Sequence, residues 1–350
     1  MIGVFALLLL STAGALEVRT AGHGRIEHVS IHSNALAGNL VGDPIDQTFN
    51  VYLPPSYDST TRRYPVVFLL HGIGDTNELW LTHFRLPEML DELIASGVIQ
   101  EMIAVMPNGR NRFLGSYYAN SPVTGRWEDF IAQEIVARVD HDFRTRATPL
   151  SRGVAGYSMG GFGAIRLAMH RPDVFSVIYA ISPCCLAAVE DIGYGNVAAW
   201  NDLLQLKSYD DADAAAQRGG FYQVAVLGLL AALDPNPAVP PLYVNIPVVR
   251  QRSELRPLEP DYTHFRQQFP LQQVDQYRSN LAKLRALAID YGFEDQFAHI
   301  PVATAAFSKA LNDAHVAHML TTYRSDHRQG VQERLARVVF PFISRNLDSD

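Results

Sequence analysis

The stretch "VAGYSMGGFGAIRLA", residues 154–168, crowds Gly156, Gly160 and Gly161 around one hydroxyl, that of Ser158. Glycine weakens strands and helices alike, so such crowding calls for a reason beyond secondary structure. The residues before the serine, "GVAGYS", read as a strand, and "MGGFGAIRLAMHR" reads as a helix. Ser158 therefore falls on a strand-to-helix turn, where a nucleophile is held on strained backbone and its neighbours must be small. The pattern G-x-S-x-G alone is weak, expected by chance in roughly one chain in eight of this length. Its position at the start of a helix, where developing negative charge is favoured, is the stronger argument.

Outward from this turn, strand-like runs occur at 25–32, 48–54, 65–72, 102–108, 153–158, 175–183, 286–290 and 318–323. The first two alternate and suggest an antiparallel start. The later ones are nearly continuous apolar runs, as in strands buried on both faces of a parallel sheet. Helical periodicity appears at 85–96, 126–142, 159–170, 300–314 and 328–345. Strand alternating with helix predicts one mostly parallel α/β domain over residues 16–350. Residues 187–273 break the rhythm and hold eight prolines. They read as a partly helical insertion over the carboxyl ends of the strands, a lid or substrate wall.

A serine hydroxyl needs a base, and the base needs an orienting acid. After the run 286–290 come Asp290, Glu294 and Asp295 as candidate acids, and after 318–323 comes His327 as the base. The order serine, acid, histidine is that of α/β hydrolases. An oxyanion hole requires two backbone N–H groups. Met159 supplies one, and Ile73, between Gly72 and Gly74, is placed to supply the other. His71 precedes the serine and reads as structural.

Composition narrows the field further. The chain of 350 residues is 48% hydrophobic and 19% charged, with net charge −7. It has apolar residues enough for a large core. No basic run exceeds Arg62-Arg63, which speaks against a nucleic-acid partner. The first fifteen residues, with an apolar run from Ile2 to Leu10 and Ala13-Gly14-Ala15 after it, predict a signal peptide and a secreted or periplasmic protein. That run is too short for a stable membrane span. Cys184 and Cys185 are adjacent, a separation below the usual disulfide range. His315 and His318 read as helix surface, and no metal or other cofactor is called for.

With these residues in view, the chain resembles the esterase family of α/β hydrolases that groups feruloyl esterases, S-formylglutathione hydrolases, enterochelin-esterase-like proteins and antigen 85-type mycolyltransferases. The resemblance covers about residues 27–345. It rests on "VYLPPSY" (51–57), "YPVVFLLHG" (64–72), "MPNG" (106–109), "NSPVTGRWEDF" (120–130), "DHDFRTR" (140–146), "GYSMGGFGA" (156–164), "DYGFEDQF" (290–297) and "YRSDH" (323–327). Two positions depart from the family pattern, Asn108 where an aspartate is common and Ser325 where a glycine is common.

The resemblance implies the α/β-hydrolase fold, with Ser158 as nucleophile, Asp295 as acid, His327 as base, and Ile73 and Met159 at the oxyanion hole. It implies ester hydrolysis through an acyl-enzyme, on a small-molecule or glycan-linked ester. The same triad also serves acyl transfer to a sugar or lipid hydroxyl. A silent binding protein is disfavoured, because no member of the triad is lost. Trp80, Arg110, Tyr117, Asn120 and Trp127 are the candidate substrate contacts.

Overall fold

The computed structural model describes residues 22–348; the signal peptide predicted from the sequence for residues 1–15 lies outside them. Eight strands form one sheet: β1 (Arg25–His32), β2 (Asp46–Leu53), β3 (Val66–Leu70), β4 (Ile103–Pro107), β5 (Arg152–Tyr157), β6 (Val177–Ile181), β7 (Ala286–Gly292) and β8 (Met319–Tyr323). Their spatial order is β1-β2-β4-β3-β5-β6-β7-β8. β2 runs antiparallel to both β1 and β4. The remaining neighbours are parallel. β3 to β6 are buried along their whole length, as their unbroken apolar runs require.

Each face of the sheet carries its own apolar layer. One gathers Trp127, Ile131, Ile165, Val274 and Phe307 from helices on that side. The other gathers Leu90 of the helix Leu86–Ala95 with Leu335, Phe340 and Ile343 near the carboxyl terminus. The expected helices at 85–96, 126–142, 159–170, 300–314 and 328–345 all form, and π-helical turns interrupt two of them, at Phe130–Ile135 and Leu335–Val339.

The region 187–273 is ordered. It contains helices Val197–Leu203, Tyr209–Gln217 and Phe221–Leu233, a hairpin of Val248–Gln251 with Glu254–Pro257, and the helix Asp261–Gln267. Asn196 and Ser208 cap the first two helices by accepting from the N–H groups of Ala199 and Asp211. The helix Phe221–Leu233 is apolar on all sides and accordingly buried. The expected boundary at 273 falls inside a further helix, Pro270–Leu281. That helix flanks the sheet, its Asn280 donating to the Met169 carbonyl at 2.8 Å. His315 and His318 are not on a helix surface: the helix His299–Asp313 ends before them. His318 donates from Nδ1 to the Val316 carbonyl and accepts at Nε2 from the Ser308 hydroxyl.

The glycines around Ser158 now have a cause. The helix Met159–His170 starts directly on β5 and lies against the end of β3. A Cβ on Gly160 would sit 1.9 Å from the Leu70 carbonyl oxygen, and one on Gly156 would sit 2.0 Å from the Gly160 oxygen. Both obstacles are backbone, so no side-chain rotation relieves them. Gly160→Ala should therefore cost about 1–3 kcal/mol or prevent folding. Gly195→Ala, where the space is open, should stay within about 0.5 kcal/mol of the parent. Urea unfolding of the two variants checks the difference, and equal midpoints would refute it.

Candidate active site

Ser158 has φ 57° and ψ −116°, a conformation that costs a non-glycine residue on the order of 1–3 kcal/mol. Hydrogen bonds on both sides hold it there. Its N–H donates to Ile181 at 2.9 Å, and its carbonyl accepts from Phe162 at 3.0 Å and Cys184 at 3.1 Å. The turn is thus tied to the end of β6 and to its own helix.

The loop after β3 closes over the same point. A Cβ on Gly72 would lie 3.4 Å from the Ser158 Cβ. His71 is fully buried and braces this loop. Its Nε2 accepts from the Gly109 N–H at 2.8 Å, and its Nδ1 donates to the Gly72 carbonyl at 2.8 Å. Burial lowers its pKa to about 4, so the ring stays neutral and keeps the acceptor that Gly109 needs. Tyr118 donates to the His71 carbonyl, Gly74 donates to Leu114, and the Arg110 guanidinium donates to the Gly74 carbonyl. Neither Ile73 N–H nor Met159 N–H donates to another group among the described residues.

His327 lies between β8 and the helix Val331–Arg334, and Asp295 lies beyond β7. Their side chains are almost completely buried, and His327 Nδ1 donates to Asp295 Oδ2 at 2.7 Å. The other Asp295 oxygen accepts from the Phe297 N–H at 2.9 Å. The imidazole is held between Tyr157 and Phe297, with ring centroids 4.9 and 4.8 Å away. Its backbone accepts from Tyr157 and donates to Gln296. With Nδ1 protonated, the neutral ring presents Nε2 as an acceptor.

The two rival acids are occupied elsewhere. Asp290 is buried against Tyr179 and Arg334, and burial raises its pKa against the pull of Arg334. Glu294 is exposed and pairs with Arg324 at 2.9 Å.

Ser158, His327, Gly72 and Ile73 line one cavity of about 140 Å³. Much of its apolar wall comes from the inserted region, through Ile192, Phe221, Tyr222 and Leu229. Residues of the segment 187–273, read from the sequence as a lid or substrate wall, thus line this cavity. Sequence reading passed over these four residues, although the apolar run 224–233 signals a buried helix.

Of the five candidate substrate contacts only Tyr117 lines the cavity, its hydroxyl donating to Ala225. Trp80 and Trp127 are wholly buried in the two apolar layers, where large indole surfaces gain most from leaving water. Trp127 also donates to the Thr124 carbonyl. Asn120 accepts from the Asp129 N–H and thereby supports the helix that follows. The Arg110 guanidinium donates to the Gly74 carbonyl.

The sequence profile of the family described as "Putative esterase" matches residues 44–334. The chain belongs to this family. An endo-1,4-beta-xylanase/feruloyl esterase of Xylanibacter ruminicola is 33% identical over 162 residues, 44% of this chain and 21% of that protein. Esterase Rv1288 of Mycobacterium tuberculosis is 31% identical over 211 residues, 54% of this chain and 43% of that protein. The matches thus span less than half of either relative. An S-formylglutathione hydrolase from Agrobacterium tumefaciens has a TM-score of 0.62 over 94% of this chain and 98% of its own, at 17% identity. The shared architecture is the α/β-hydrolase fold.

The bracing by His71 has a pH signature. The folded protein keeps the ring neutral down to about pH 4. The unfolded chain takes up a proton below about 6.5, so this contribution is complete above pH 6.5 and is lost on acidification. The stability difference between the parent and His71→Gln should shrink by about 3 kcal/mol from pH 7 to pH 4. Urea unfolding at several pH values measures it, and a constant difference would count against the neutral buried ring.

Proposed function

We propose that this member of the family is a serine carboxylic-ester hydrolase working through Ser158, His327 and Asp295. One observation carries the reading: the bonded His327–Asp295 pair and the strained Ser158 turn open onto the same cavity. His327 Nε2 takes the Ser158 proton as Oγ attacks the ester carbonyl. The oxyanion is received by the unengaged N–H groups of Ile73 and Met159. Asp295 holds the imidazole in the tautomer that accepts, and it stabilises the imidazolium that forms. The proton then passes to the leaving alcohol, and water enters by the same route to release the acid. The apolar wall suits an ester with one apolar moiety, whereas the Asp75 and Arg328 side chains line the cavity with charge.

A fluorophosphonate probe should label the protein once, on Ser158. In the Ser158→Ala variant, turnover of p-nitrophenyl esters should fall by roughly 10⁴–10⁶-fold. Peptide mapping and a chain-length series of esters provide both readouts; a label elsewhere, or an active variant, would end the reading.

The three acids should separate by phenotype. Asp295→Asn should lose up to about 10⁴-fold in turnover while remaining folded. Asp290→Asn should lose stability, on the order of 3 kcal/mol, because Arg334 is left without its counter-charge. Glu294→Gln should stay within about tenfold of the parent and unfold at nearly the same urea concentration. Parallel assays of turnover and urea unfolding decide among them, and a stable, fully active Asp295→Asn would remove Asp295 from the mechanism.

A further inference from the structure

The cavity holds a second constellation that the proposed reaction leaves unused. Cys184 and Cys185 follow β6; both are free and buried, and both line the cavity together with His299. His299 opens the helix His299–Asp313 and is 4% exposed. Its Nδ1 and its backbone N–H both donate to Asp191 Oδ1, at 2.7 and 2.8 Å. Tyr222 donates to the other Asp191 oxygen at 2.7 Å. Asp191 therefore fixes the tautomer and leaves the lone pair on Nε2. That Nε2 is buried and has no hydrogen-bond partner among the described residues, and the ring lines the cavity beside the Cys184 thiol.

The two thiols differ in environment. Burial pushes both up. At Cys184 the interactions with Cys185 and His299 outweigh burial and bring the thiol down, whereas Cys185 stays well above the ordinary range. Burial also opposes the imidazolium, but Asp191 and Cys184 together raise the His299 ring. A thiol beside such a histidine is the environment of a reactive cysteine, and a buried thiol without one is inert.

We propose that Cys184, positioned by His299 and Asp191, is a covalent modification site for soft electrophiles (alkylating carbons and the disulfides of small thiols), and that its occupation closes the cavity to esters. In alkylation the sulfur attacks the electrophilic carbon, a carbon–sulfur bond forms, and the halide leaves with its electron pair. The thiol proton passes to His299 Nε2. With a small disulfide, the sulfur attacks one of the two disulfide sulfurs, a mixed disulfide forms, and the other half leaves as a thiolate. The closing of the cavity rests on the esterase reading above; the modification itself does not.

The test uses the native protein with iodoacetamide, followed by intact mass and peptide mapping. Cys184 should take one carbamidomethyl group at least about tenfold faster than Cys185. His299→Gln should slow that reaction by about tenfold or more. Ester turnover and fluorophosphonate labelling of Ser158 should fall in step with the modified fraction. Modification of Cys185 first, of neither thiol until denaturant is added, or at an unchanged rate in folded His299→Gln would overturn the site. Should His299→Gln fail to fold, mapping of the parent still decides between the two thiols. Full fluorophosphonate labelling of the modified protein would overturn the closing of the cavity. Untreated protein lacking both turnover and probe labelling would sink the esterase reading, while the mapping would still decide the thiol.

Discussion

The carbonyl of Leu70 and the backbone of Gly160 approach so closely that no side chain fits between them. That contact lets the helix after Ser158 lie directly against the ends of β3 and β5. It brings together three loops that are distant in sequence: the loop after β3 with Ile73, the turn at Ser158, and the segment after β6 with Cys184. The Ser158 backbone, bonded to Ile181 and Cys184 as well as to its own helix, carries the left-handed strain because all of these partners over-determine it. A bulkier residue at Gly160 would move the turn away from the loop that holds Ile73. The glycines and the site chemistry are thus one constraint seen at two levels.

How much of this was legible follows from how local each signal is. Continuous apolar runs reveal a buried strand within the run itself, so β3 to β6 fall within two residues of their expected ends. The helices read equally well, because periodicity is also a local property. The inserted region was opaque for the opposite reason. Its prolines advertise breaks in regular structure, and its short helices depend on caps at Asn196 and Ser208 and on packing against the frame. The tryptophans show a different limit. Trp80 and Trp127 are of a residue type common both in binding clefts and in cores, and only tertiary packing assigns them to the core.

The acids show where residue type ceases to inform. Asp290, Glu294 and Asp295 lie within six positions on one segment, and their chemistry in isolation is nearly the same. What separates them is the neighbour each meets from elsewhere in the chain: Arg334 with Tyr179, Arg324, and His327 respectively. None of those encounters is encoded near position 290. Family resemblance could point to Asp295 because it carries a memory of three-dimensional context that periodicity lacks. Geometry then supplies the physical ground: Asp295 is the one of the three whose carboxylate is bonded to the histidine beside the serine's cavity.

The cavity itself joins two structural layers with different constraints. Ser158, His327, Asp295 and the Ile73 loop hang from strand ends of the sheet, where a shift of one backbone unit would break several hydrogen bonds at once. Ile192, Phe221, Tyr222 and Leu229 come from the insertion, and they meet the cavity through apolar contact, which tolerates exchange of shape far better than hydrogen bonding does. Asp191 adds a polar tie within the insertion. It ties that layer to His299 on a helix of the frame through two charge-assisted hydrogen bonds, and Tyr222 of the wall is bonded to the same carboxylate. The wall is thereby registered against the frame beside Cys184, as it is where Tyr117 donates to the Ala225 carbonyl and Ser121 to the Ala231 carbonyl, while its apolar cavity-facing surface tolerates exchange of shape. A change of substrate preference can then arise in the insertion without disturbing the strand-end geometry that would perform the chemistry.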